Sequence, residues 1–302
     1  MSYLNHNFSN NRVGGEGIGS KAGQGIRAHN FSNNRVGGEG IGSKAGQGIY
    51  DESSTAKYPI GEKLELADGR VFRYGYTAAA INRGLLVSQD VSATLVVETD
   101  GAIVASSGDY SLSAGSSMVE ITLGAGTENQ YAGGYLQITD DAGEGHQYRI
   151  KSNTARGDTS SGNVGFTLYD PIEVLLDASS TDLAIVGNPW YNVVGATAGT
   201  DYIVAGVTPI SFSANSAAIK VSKPKNYVAT KKEEYYGWFQ TAGIATILSN
   251  GALAIGANVT LSDDITGAVQ LKDAETEPLV GFACYASDDT GHVGVVLQGL
   301  IA

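Results

Sequence analysis

At 302 residues, with 31 acidic against 19 basic side chains and a net charge of −12, the chain has room for two modest domains or one large β domain. The acidity argues against a nucleic-acid binder held through phosphates. A lone cysteine, Cys284 in the apolar run VGFACYA, excludes a disulfide framework and reads as a small buried hydrophobe.

The charge is uneven. The first fifty residues hold Arg12, Lys21, Arg27, Arg35 and Lys44 against Glu16 and Glu39, a net of +3, which leaves −15 on the remainder. The same fifty residues contain a perfect duplication: HNFSNNRVGGEGIGSKAGQGI runs from His6 to Ile26 and again from His29 to Ile49. Each copy has six glycines and little apolar surface. Glycine carries the largest entropy cost on ordering, so the arm is expected to be disordered alone in water. The expected role is an anchor laid on a partner surface, a low-complexity linker being the plainer alternative. Two identical anchors suggest two equivalent docking sites on a symmetric assembly, at most ~75–80 Å apart for an extended 23-residue offset. Phe8 and Phe31 are the candidate apolar anchors, with Val13, Ile18, Val36 and Ile41 beside them, and Arg12 and Arg35 are candidate partners for carboxylates. Gly15 to Lys21 looks loosely phosphate-binding, but Ala22 follows the lysine and no strand precedes, so it is not a P-loop. The start of the chain is polar and glycine-rich, unlike a secretory signal.

The body, from residue 51, opens with KLELA, Asp68-Gly69 and RVFRYGY, which read as a hairpin across a type I′ turn. Thr77 to Arg83 could form one short helix before Gly84. From Ser92 the pattern is strands and tight turns: SATLVVE turning at Asp100-Gly101, SMVEITL with period two, and YLQIT joined through DDAGEG to HQYRIKS. NVGFTLY ends at Asp170-Pro171, and IEVLLDA reads as a strand or a second short helix; WYNVVGA and DYIVAGV continue the strands. Thr154 to Asn163 is a polar surface loop, and the charge-dense stretch Lys220 to Glu234 marks a boundary. The final section gives about six strands at ten-residue spacing, as in a small β barrel or sandwich. Tyr235 to Ser262 lacks charges, but its glycines and asparagines and its short β-like clusters argue against a membrane helix. The expected fold class is mainly β, with antiparallel barrel or sandwich domains and an extended Gly-rich N-terminal arm. The expected organisation is an arm at 1–50, a discontinuous barrel from 51–92 and 227–302, and a β-rich insertion at 93–226.

Chemistry is sparse. His6, His29, His146 and His292 with Cys284 make no zinc ligand set, and no nucleophile elbow occurs. Asp140-Asp141 with Glu144, Asp263-Asp264 and Asp288-Asp289 could hold calcium or, paired across a cleft, hydrolyse a glycoside; as turn residues they bond locally instead. Trp190, Tyr191, Tyr235, Tyr236 and Trp238 could stack on sugar rings, although on a strand half of YYGWF faces the core. The expectation is no enzymatic activity, cofactor or metal.

ADGRVFRYGYTAAAINRG, GGYLQITDDAGEGHQYRIKSN, YYGWFQTAG and GFACYASDDTGHVGVVLQG together resemble capsid-associated structural proteins of tailed bacteriophages. The last seventy-odd residues look like the β barrels of head decoration, or cement, proteins; the duplicated arm is outside the resemblance. The resemblance implies a virion protein, assembled in the host cytoplasm on the outer capsid surface as a homo-oligomer, usually a trimer. It would clamp neighbouring major capsid protein subunits and contact neither nucleic acid nor membrane. The alternative is a receptor-binding or fibre protein that uses its aromatics on cell-surface glycans; a glycan-cleaving enzyme is a third reading.

Overall fold

The computed structural model describes residues 43–44, 46–89, 96–99, 103–104, 108–123, 126–157, 163–197, 204–213, 235–298 and 300. Strands make up all the regular structure there, and no helix occurs among the described residues. The described chain begins with a small hairpin, β1 (Ser43–Lys44) and β2 (Gln47–Gly48), followed by β3 (Lys63–Glu65), β4 (Val71–Thr77) and β5 (Leu86–Gln89).

The next six strands are β6 (Val96–Thr99), β7 (Met118–Ile121), β8 (Tyr135–Asp140), β9 (Gln147–Asn153), β10 (Val164–Leu168) and β11 (Asp182–Val186). They form a sheet of their own in the order β6-β11-β8-β9-β10-β7. Alternation along its strands sends Val119, Ile121, Leu136, Ile138, Tyr148, Ile150 and Phe166 into one core.

After this sheet come β12 (Val193–Gly195), β13 (Val204–Val207), β14 (Tyr235–Ser249), β15 (Asn258–Leu261), β16 (Val269–Leu271), β17 (Gly281–Ala283) and β18 (Gly291–Leu297). β14, β16, β15, β17 and β18 close into a five-stranded barrel, because β18 pairs back onto β14. Ile247, Val259, Val269, Val293 and Val295 fill it.

β14 is shared. Tyr235 to Ala242 ladders with β4, and Gly243 to Ser249 ladders with β18. The change of partner falls beside a register shift between Gln240 and Ala242, with Gly243 at φ +83°. A Cβ at Gly243 would lie 3.0 Å from the Arg70 Cα, so glycine permits both the bend and the close approach. The sequence divides this element at Gly243 into two strands; it is one strand with a bulge.

Four further expectations change. Thr77 to Arg83 is not a helix: the Thr77 hydroxyl bonds locally to Ala79, and Ile81 is drawn into a bridge with Phe212. Ile172 to Ala178 is neither strand nor helix; it crosses the end of the six-stranded sheet, with Ile172 and Leu176 bonded to Ser116 and Leu112 and buried in the core. The turn at Asp68-Gly69 is not type I′, since Gly69 has φ +84° but Asp68 does not share a positive φ. Gly69 N donates to Leu66 O at 3.0 Å and Leu66 N to Arg70 O at 2.9 Å, a type I turn followed by a G1 bulge. Finally, β12 and β13 come from the expected 93–226 insertion but pair with β5 in the other sheet, so only 96–186 builds a separate layer. Asp100-Gly101, the middle of the Thr154 to Asn163 loop and the Lys220 to Glu234 stretch lie outside the described residues.

Candidate functional site

Phe8, Arg12, Val13, Ile18, Phe31, Arg35, Val36 and Ile41 all lie outside the described residues. The root of the arm does not. Residues 47–49, assigned from sequence to the arm, belong to the body. Ile49 is fully buried among Leu66, Phe72, Tyr74 and Trp238. Gln47, 3% exposed, is bonded on every side. Its Oε1 accepts from the Tyr74 hydroxyl at 2.7 Å, and its Nε2 donates to Tyr236 O at 2.9 Å and Asp51 O at 3.0 Å. Its backbone carbonyl accepts from the Trp238 indole at 3.2 Å. Burial pushes the Tyr74 phenol up from its ordinary value, which keeps it a donor to Gln47. Asp51 closes the turn: its Oδ2 accepts from Gly48 N at 2.8 Å and its N–H donates to Gly48 O at 3.1 Å. The socket is rigid because the Tyr74 ring meets those of Tyr58 and Trp238 at 5.2 and 5.1 Å.

The predicted aromatic cluster divides. Trp190 and Trp238 are core residues, whereas Tyr191, Tyr235 and Tyr236 are half-buried. Tyr191 and Tyr236 line a cleft of about 480 Å³ where the two sheets meet, with Tyr76, Tyr169, Arg149 and Lys151, and Glu128 among the other lining residues. The Tyr76 ring meets Tyr191 edge-on at 4.7 Å, and the Arg149 guanidinium lies 5.1 Å over Tyr169. Arg149 and Lys151 project on one face of β9 because they are two residues apart. Neither forms an ion pair among the described residues.

Asn188 fixes this junction. It is 2% exposed. Its Nδ2 donates to Ile60 O at 3.0 Å and its Oδ1 accepts from Trp190 N at 3.1 Å. A Cβ at Gly133, where φ is +78°, would fall 2.7 Å from Asn188 Nδ2, so glycine is required beside it. Arg73 braces the same corner, donating to Gly61 O at 3.0 Å and lying 5.1 Å over the Trp190 ring.

The barrel wall carries an apolar row. Ile244 on β14 opposes Val296 on β18, which opposes Phe282 on β17; Ile244 is 61% and Val296 37% exposed. Such a row suits contact with another protein surface.

Most bonds of the carboxylate pairs are local, and Asp141 reaches further, to Ser180. Asp140 accepts from Asp141 N at 2.8 Å, Asp141 meets the Ser180 hydroxyl, Asp263 exchanges two bonds with Gln270, and Asp289 accepts from Thr290 N at 2.6 Å. No group of three or more metal-ligating side chains occurs among the described residues. His292 lies within β18, its ring against Gly84, and Cys284 is half-buried rather than core. No helix among the described residues is long and apolar enough to cross a membrane.

Comparison with protein families, curated proteins and solved structures finds no match.

Of this set, sequence reasoning missed Gln47 and Ile49, Arg149 with Lys151, and Asn188. The only signal for the first pair was that Gln-Gly-Ile ends both copies, the second immediately before the body. The period-two spacing of Arg149 and Lys151 was available, but their tyrosine neighbours come from other strands.

Proposed function

We propose that this protein is a virion structural protein, which binds the outer surface of a phage capsid and cements neighbouring major capsid subunits through its duplicated arm. The observation that carries the reading is the root of that arm. Gln47 and Ile49 are held inside the aromatic core of the body, so whatever grips the arm is coupled to the β scaffold and not to a loose tether. Two linked contacts along the arm raise attachment through effective concentration. The barrel row of Ile244, Val296 and Phe282 suits association with further copies of the chain, a trimer being the expected state. Neither nucleic acid nor membrane has a role in this reading, and no catalysis is invoked.

Removing residues 1–42 tests it. Because the cut spares Gln47 and Ile49, the shortened protein is expected to melt within ~2–3 °C of the full chain while losing most of its occupancy on purified capsids. Undiminished occupancy would discard the arm's role.

A second reading, recognition of a cell-surface glycan, is favoured by one feature, the tyrosine-lined cleft with Arg149 and Lys151. Aromatic faces stack on sugar rings and paired cations suit a carboxylate-bearing sugar. On a glycan array, the full chain is then expected to prefer acidic over neutral sugars, and Arg149→Ala with Lys151→Ala to lower that signal at least tenfold, about 1.4 kcal/mol. Equal signals for the two proteins would remove the reading.

A further inference from the structure

We propose that the first repeat carries a second, interchangeable plug, Gln24-Gly25-Ile26, for the socket that Gln47-Gly48-Ile49 fills. This inference does not rest on the capsid reading. The socket recognises a glutamine amide, the backbone carbonyl of that glutamine and an isoleucine side chain. All three recur at Gln24 and Ile26. So does the sequence of the short hairpin that presents them: Ser43 pairs with Gly48 and Lys44 with Gln47, and the same residue types stand at Ser20, Gly25, Lys21 and Gln24. One chain therefore holds two plugs and one socket.

The two plugs differ only in the residues on their carboxy-terminal side. Asp51 makes three contacts with the docked plug, through its N–H, its carbonyl and its carboxylate. The corresponding position after the first plug is Ala28. Docking of the first plug also turns the short connection from Ile49 to Ser53 into one 23 residues longer, but loop-closure cost rises only logarithmically with length. The second plug is thus preferred and the first is its standby. The choice changes the reach of the arm by 23 residues, the offset between the two copies.

The test disables one plug at a time. Ile49→Asp places a carboxylate where the socket is dry and ejects the second plug. Deleting residues 27–49 joins Ile26 to Tyr50 and rebuilds the docked sequence with one plug; Ile26→Asp in that shortened chain gives the baseline without rescue. The full chain carrying Ile49→Asp is expected to melt at least ~5 °C above this baseline and, with Trp190→Phe in both chains to leave Trp238 as the one emitter, to keep a blue emission. Ile26→Asp alone in the full chain is expected to have no effect. Equal melting of full-chain Ile49→Asp and the baseline overturns the proposal, as does failure of both to fold. Rescue that fades on dilution also overturns it, since the plug would then come from a second chain.

Discussion

Replacing Trp238 with alanine is expected to destabilise the protein by about 3–5 kcal/mol, the range for truncating a buried tryptophan, and to lower Tm by roughly 10 °C. The indole is fully buried and packs against Tyr58 and Tyr74. Two losses combine: the ring's contact area and the Nε1 donor to the Gln47 carbonyl. Trp238→Phe separates them, since most of the packing survives while one acceptor is left unpaired, at about 1–3 kcal/mol. Urea denaturation followed by circular dichroism measures both, and a phenylalanine variant as unstable as the alanine one would show that the hydrogen bond dominates.

Asn188→Ala is expected to be the next most damaging change. It leaves the Ile60 carbonyl and the Trp190 N–H without their partner at a position almost closed to solvent. At about 1–3 kcal/mol for each orphaned group, a loss of roughly 3 kcal/mol is expected. Asn188→Asp tests the cause. Burial and the facing Ile60 carbonyl favour the neutral acid and outweigh the single Trp190 N–H, which favours the carboxylate, so the folded-state pKa lies above the unfolded one. A group of that kind has its full share of stability below the unfolded pKa and loses it as pH rises through the folded pKa. The aspartate variant should therefore be badly destabilised at neutral pH and recover below the usual carboxylate range, where the protonated acid donates to Ile60 O. A thermal shift independent of pH would show that Asn188 acts through shape alone.

The local elements were legible where local rules decide them. The β8–β9 hairpin follows from alternation on both sides of a glycine-containing turn, and the barrel strands from their even spacing. Legibility ended where distant residues compete. Thr77 to Arg83 has helix-forming alanines, yet Ile81 pairs with Phe212, and that tertiary contact overrides propensity. Asp-Gly is a strong hairpin signal, but loop length, which selects the turn type, depends on where β3 and β4 begin to pair. The return of β12 to β5 is a pairing across about a hundred residues, with no trace in local pattern. The arm root was hidden for the opposite reason. Gln47 and Ile49 are identical to Gln24 and Ile26, and their burial is decided by the nearby Asp51 and by aromatics supplied by β4 and β14.

The sharing of β14 has a mechanical consequence. Ser53 bridges Tyr236 just beyond the plug, so tension on the amino-terminal segment enters at one end of this strand. The ladders to β4 and β18 each span seven paired positions along it. A force directed along the strand strains these rungs together in shear, whereas a peeling force would break them singly. The fold thus converts a pull at a single point into a load spread from one sheet to the barrel.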